Sequence, residues 1–313
     1  MHIAVFVPLL ASAGVPALLF PLLAGLWADH LAPRVVAWTL TLCSVALGLA
    51  WVGALVLLGA SAVAQTAVVA RAGNWPSGPL EAVMPWARPV GLCAGGLLLV
   101  SATRVVRTVR TLRAEYRGAG GTDGTPVEGM LIVEDPRPFA YARPVAGTRG
   151  AVVASRGMLE ALSTDEVRAL TAHEAAHLRG RHHLFLVTTA LALALNPLLA
   201  PVRTDLVQAL ERWADEDAAS ELGNRILVAR AIGHAALATR SSGARLPALG
   251  ATSGRVPRRV AVLLGRAGGP SWRSRTVAAA VLVLSAVTVF AMAHAAVDFG
   301  EMVTLARLGI SGD

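Results

Sequence analysis

From Val35 to Ala70 the chain carries no charged residue. A run of that length does not suit the surface helix of a soluble domain, since about 20 predominantly apolar residues already cross a bilayer core. Three further runs meet the same requirement: 3–28, about Met84 to Thr103, and 276–297. The first contains Pro8, Pro16 and Pro21, which spanning helices tolerate when their neighbours satisfy the freed carbonyls. No Arg or Lys precedes it, so it reads as a span and not as a cleaved leader. The second run exceeds one crossing, so part of it must tilt or lie in the interface near Gln65. Only 15% of residues are charged and 55% are hydrophobic. The expected fold is a mostly α membrane protein with about four transmembrane helices.

The charges that exist are unevenly placed. All 28 basic residues are arginine, and the net charge is +8. Arg104, Arg107, Arg110, Arg113 and Arg117 follow the third span; Arg255, Arg258, Arg259, Arg266, Arg273 and Arg275 precede the fourth. Basic flanks mark the cytoplasmic side of a span. The expected arrangement is a three-span membrane domain (1–103), a cytoplasmic block (104–275), a fourth span (276–297) and a short outer tail (298–313). Both termini then lie outside the cell membrane. The arginine stripe at 104–117 is expected to continue the third span against anionic head groups. No element for reading bases accompanies it, so no direct nucleic-acid partner is expected. Cys43 and Cys93 fall inside apolar runs, which excludes a disulfide framework or a paired-cysteine metal site.

The cytoplasmic block opens with a Gly/Thr/Pro-rich linker (117–129). "MLIVED", "FAYARPV" and "GAVVAS" then read as short strands of a small antiparallel sheet. Ser163 followed by Glu166 is a capping-box signature and starts a helix. That helix carries "HEAAH". His173 and His177 lie one turn apart on one face, where two imidazoles can reach one metal at about 2.0–2.1 Å. Glu174, offset by one residue, can sit beside the metal's open position as a general base. A third ligand must come from another element. In the helical stretch 206–222, Glu211 and Asp215 are four apart on one face. At that spacing a glutamate can ligate zinc while the aspartate accepts a hydrogen bond from a ligand histidine, here His173.

"RPFAYARP" (137–144), "STDEVRALTAHEAAHLRGRHH" (163–183), "LNPLL" (195–199) and "ERWADEDA" (211–218), in that order, resemble the membrane-integral gluzincin proteases. These are the BlaR/MecR-type sensor-transducer peptidases, with HtpX-type and CAAX-prenyl proteases as relatives. The resemblance implies an α+β gluzincin zinc-protease domain binding one Zn2+ per chain through His173, His177 and Glu211, with Glu174 as catalytic base. Relatives often carry an aspartate after the basic cluster that follows HExxH. Here His182 and His183 stand instead, and both read as structural or interfacial. The β-lactam sensors continue into a large outer domain, whereas sixteen residues follow Val297 here, so direct β-lactam sensing is not expected.

The segment 184–202 is apolar enough to suggest another crossing. A complete crossing would separate Glu211 from the two histidines, so a membrane-dipping hairpin turning at Asn196-Pro197 is expected. Three protein ligands leave a fourth position for water, whose pKa zinc lowers towards about 7. His234, Arg258 and Arg259 are candidates to contact substrate or transition-state oxygens. The expected function is that of a membrane-bound zinc endopeptidase. Its partners would be the lipid bilayer and a protein or peptide substrate, such as a cytoplasmic repressor or damaged membrane proteins. The competing reading is a non-enzymatic scaffold or receptor subunit with a vestigial HExxH.

Overall fold

The structure is a computed structural model. It describes residues 6–76, 81, 85–118, 125–127, 130–145, 150–241, 256–265 and 272–308. Most of the linker at 117–129, residues 146–149, Arg255, Arg266 and the last five residues lie outside the described residues.

Helix α1 (Phe6–Trp27) is followed by a single 3-10 turn (Ala28–His30) and then α2 (Pro33–Ala64), which has Pro33 in its first turn. Proline is favoured there because its missing N–H has no partner in the first turn anyway. The second apolar run does not continue as one helix. It breaks at Gln65, and a short α3 (Ala67–Gly73) follows. Helix α4 (Ala87–Gly118) joins the third run, from Ala87 onward, to the arginine stripe in one piece. After the sheet and its helices, α11 (Trp272–Leu308) contains the fourth run and extends past Val297 into what the sequence places in an outer tail. Among the described residues, three stretches are long and apolar enough to cross a membrane: Pro33–Ala64, Ala87–Arg117 and Arg275–Leu305.

The order of contacts along these helices fixes their directions. Trp27 at the end of α1 and Ala28 in the turn after it share a buried cluster with Val36, Ala37 and Leu40 from the start of α2 and Ala278 and Val281 from the start of α11. At the other end, Leu55, Leu58 and Ala64 of α2 pack with Ala87 and Ala94 of α4, joined by Phe299 and Met302 of α11. So α2 and α11 run in parallel, α1 and α4 run against them, and both arginine-rich flanks fall at the same end of the bundle. Gly91 allows the α2–α4 approach: a Cβ there would lie 2.2 Å from Ala62 Cβ and 2.9 Å from the Leu58 carbonyl oxygen.

The sheet comprises β1 (Thr125–Val127), β2 (Met130–Val133), β3 (Ala140–Arg143) and β4 (Ala151–Ser155), in the order β1-β2-β4-β3. The expected antiparallel sheet is in fact mixed. β1–β2 and β3–β4 are antiparallel, but β4 inserts between β2 and β3 and runs parallel to β2. The reason lies in β4 itself. Val152, Val153 and Ala154 are all buried, the near-continuous apolar pattern of a central strand covered on both faces. β3 is left at the edge.

Ser155 closes β4 and caps α5 (Arg156–Ala161), accepting from Met158 N at 3.1 Å. Helix α6 (Thr164–Arg179) begins with the expected capping box: Ser163 N donates to Glu166 Oε2 at 3.0 Å, and Ser163 Oγ accepts from Glu166 N. Two helices follow, α7 (His182–Leu195) and α8 (Val202–Leu222), joined by a 3-10 turn at Pro197–Leu199. Asn196 Oδ1 accepts from Leu198 N at 3.1 Å and fixes that turn. The chain therefore reverses at Asn196-Pro197 as expected. Helix α7 lies along the bundle: Thr189 Oγ1 donates to Thr41 Oγ1 at 3.4 Å on α2, and Ser101 Oγ of α4 donates to the Leu195 carbonyl at 2.9 Å. Helices α9 (Arg225–Ser241) and α10 (Val256–Leu263) complete the domain.

Candidate metal centre

Helix α6 packs between the β3 edge and α8, and its buried face carries Ala169, Ala172, His173 and Ala176. The alanines are small enough to bring α8 close, so His173 and His177 meet side chains from the facing helix. On α8, Leu206, Ala209, Leu210 and Trp213 are buried against α1 and α2. Burying each leucine contributes about 1.5–3 kcal/mol. That packing sets the rotation of α8, and the adjacent face presents Glu211 and Asp215 to α6.

The three ligand candidates converge. His173 Nε2 is 3.3 Å from His177 Nε2 and 3.7 Å from Glu211 Oε2, and His177 Nε2 is 3.5 Å from Glu211 Oε1. A tetrahedral ion with ligands at about 2.0–2.1 Å holds them roughly 3.3–3.4 Å apart. The donor set and its spacing therefore fit a zinc-sized ion, and among the described residues this is the cluster able to hold one. Behind the ligands, Asp215 Oδ1 lies 3.0 Å from His173 Nδ1, slightly out of line for a hydrogen bond. Asp215 thus faces His173, the histidine the sequence assigns to it.

Arg259, from α10, is buried behind both carboxylates. Its Nε and Nη2 donate to Asp215 at 2.8 and 2.6 Å, and Nη1 is 2.7 Å from Glu211 Oε2. This arrangement polarises the cluster. Burial works against ionising Glu211 and Asp215, but the Arg259 guanidinium and the histidines hold both well below the usual carboxylate range. Burial likewise works to lower His173, but Asp215 and Glu211 override it and hold the imidazole up at about 10. Burial pushes His177 down to about 4, outweighing the nearby charge of Glu211. Glu174 is raised by burial, while its carboxylate accepts a hydrogen bond from the Ala142 N–H on β3. A carboxylate with a raised pKa is a stronger base than an exposed glutamate, which favours taking a proton.

Residues 106–244 match the sequence model described as Peptidase family M48. Curated relatives named "Protease HtpX homolog" match shorter stretches of the chain. The one from Listeria innocua is 36% identical over 90 residues, covering 29% of this chain and 28% of its own length. One from Listeria monocytogenes serotype 4a is 40% identical over 70 residues, covering 22% and 23%. One from Aeropyrum pernix is 49% identical over 65 residues, covering 21% and 18%. The chain thus spans less than a third of the length of these relatives. No solved structure matches. The chain resembles membrane metallopeptidases of the HtpX type, one of the groups its motifs resemble.

The remaining sequence candidates have other partners. His234 Nδ1 lies 2.8 Å from Glu166 Oε1 at the start of α6, away from the ligand cluster, and is half exposed. Arg258 pairs with Asp29 in the turn after α1. Arg259 does reach the site, but its guanidinium is held by Asp215 and Glu211 and not presented to a substrate. One contact goes beyond the sequence reading: His182 Nδ1 lies 2.8 Å from His177 Nδ1. The spacing of five residues is not helical, and the contact depends on Arg181 adopting φ 50°, ψ 42°. The only sequence signal was the replacement of an aspartate common in relatives.

Proposed function

We propose that this chain is a membrane-bound zinc-dependent endopeptidase acting on polypeptides close to the membrane surface. The observation that carries the reading is the convergence of His173, His177 and Glu211 at separations of 3.3–3.7 Å, matching those of tetrahedral ligands. His173 and His177 would hold zinc through Nε2 and Glu211 through its carboxylate. Bound there, zinc would supply a Lewis acid for the peptide carbonyl and acidify a water molecule. Glu174 takes the proton of the attacking water on its carboxylate and delivers it to the leaving amine nitrogen. Asp215 and Arg259 keep His173 and Glu211 in place while the proton moves.

The β3 edge, Ala140–Arg143, lies beside Glu174. An extended substrate adding to this edge would bring its backbone past the base, with main-chain hydrogen bonds providing affinity for many sequences. The arginine-rich flanks support a cytoplasmic position for the domain in this reading. Its substrates would be cytoplasmic or membrane-anchored segments, a cleaved repressor or damaged membrane proteins among them.

The test is zinc content per chain of detergent-purified protein, wild type beside Glu211→Ala, together with cleavage of an unfolded polypeptide and Glu174→Ala as the inactive control. About one zinc in the wild type, a sharp drop in Glu211→Ala, and cleavage abolished in Glu174→Ala are expected. A folded wild type without zinc would refute the reading.

A further inference from the structure

We infer that His182 is a positioning residue for the metal centre, acting through its hydrogen bond to His177; this rests on His177 being a zinc ligand. The two Nδ1 atoms are 2.8 Å apart, and the rings meet edge to face with centroids 4.7 Å apart. His177 turns Nε2 towards His173 and Glu211, so Nε2 is the atom left to ligate. A neutral imidazole that ligates through Nε2 carries its proton on Nδ1. Nδ1 of His177 must then donate, and Nδ1 of His182 must accept. The reverse arrangement would put the His177 proton on Nε2 and remove the lone pair the metal needs. His182 thus serves His177 as Asp215 serves His173: each ligand ring has its rear nitrogen held by a separate residue.

The surroundings of His182 agree with this assignment. As an acceptor at Nδ1 it carries its own proton on Nε2, and Nε2 is buried without a hydrogen-bond partner among the described residues. The ring lies over the Trp213 indole, centroids 4.7 Å apart and planes inclined by 51°, where an N–H can point at the π face. Phe185 closes another side at 6.4 Å. Gly180 leaves the space: a Cβ there would lie 2.5 Å from His182 Nε2. Arg181 occupies the left-handed region to bring the ring back towards α6, a conformation that non-glycine residues seldom adopt.

The proposal separates the hydrogen bond from the packing. His182→Phe keeps a ring on Trp213 but removes the acceptor. His182→Asn loses the ring but puts Oδ1 near the place of Nδ1. The zinc dissociation constant of the full detergent-purified chain, measured by competition with a chelating dye, is the readout, and circular dichroism confirms folding. Loss of a partner behind a ligand typically costs 10–100-fold in metal affinity, and that loss is expected for His182→Phe, with His182→Asn within about threefold of wild type. If His182→Phe does not fold, His182→Leu replaces it as the acceptor-free variant. Zinc binding by the acceptor-free variant within about threefold of wild type would overturn the assignment, as would an Asn variant as weak as Phe. A wild type that binds no zinc would instead overturn the metal site itself, a separate outcome.

Discussion

Replacing Arg259 by leucine removes the one arginine that faces both carboxylates of the centre. Arg259 is 7% exposed and Asp215 2%, and three of its nitrogens lie 2.6–2.8 Å from Asp215 and Glu211. Without it, two ionised carboxylates remain buried beside each other with only His173 between them. Removing one partner of a buried pair costs about 3–5 kcal/mol, mainly because the other charge stays buried and unpaired. His173, charged in the metal-free site, offsets part of this and places the expected loss at the lower end. At roughly 2–4 °C per kcal/mol for a domain of this size, the melting temperature of the metal-free protein falls by on the order of 10 °C. A bound dication next to Glu211 would supply the missing positive charge, so the loss is smaller with zinc present. Thermal melts followed by tryptophan fluorescence, with chelator and with zinc, measure both numbers. Arg259→Lys should recover only part of the loss, because an ammonium cannot make the forked contact. A metal-free Arg259→Leu protein melting within about 2 °C of wild type, or a loss that zinc does not reduce, would refute the reasoning.

Other expectations follow from single contacts. Glu166 sits below its ordinary value of 4.5: burial pushes it up, but the hydrogen bonds from Ser163, the neighbouring His234 and the hydrogen bond from Arg230 outweigh that. Its folded-state pKa is therefore depressed, so its stabilisation is complete above about pH 4.5 and is lost as pH falls through the lower folded value. Glu166→Gln should flatten the acid limb of the stability curve, read from melts between about pH 3 and 6. Ser163→Ala removes the cap of α6 and should cost about 1 kcal/mol, with faster amide exchange in the first turn of that helix. Gly91→Val forces α4 away from α2 and should cost about 1–3 kcal/mol in a denaturation assay in detergent, whereas Gly95→Ala, with nothing within 4 Å of the added Cβ, serves as the near-neutral control. Chelation should lower the melting temperature of the wild type, and added zinc should restore it in proportion to the logarithm of its concentration.

What the sequence made legible depended on how local the signal was. The Ser163–Glu166 cap and the one-turn spacing of His173 and His177 depend on residues within a turn of helix, and both are present in the structure, whereas the second apolar run breaks at Gln65. The reversal at Asn196-Pro197 was also readable, because only a returning chain lets Glu211 meet the two histidines. Strand order was not. The hydrophobic pattern shows that β4 is buried on both faces, but not that it enters between β2 and β3, since that depends on the path of the connection through Pro136 and Pro138. The partner of Arg259 was hidden for a related reason. Its neighbours Asp215 and Glu211 are 44 and 48 residues away in sequence, and a charge at that separation reads equally as solvated or paired. His182 is the most instructive case. At five residues past His177 it falls off the helical face, so periodicity argues against contact. The contact exists because Arg181 takes a left-handed conformation and Gly180 leaves room for the ring. Neither condition is visible without coordinates, yet together they place a neutral imidazole where relatives often have an aspartate. An aspartate there would add a third carboxylate to a site that already holds Glu211 and Asp215. A histidine can accept the same hydrogen bond without adding charge, and that is a physical reason for the substitution to be tolerated in so closed a site.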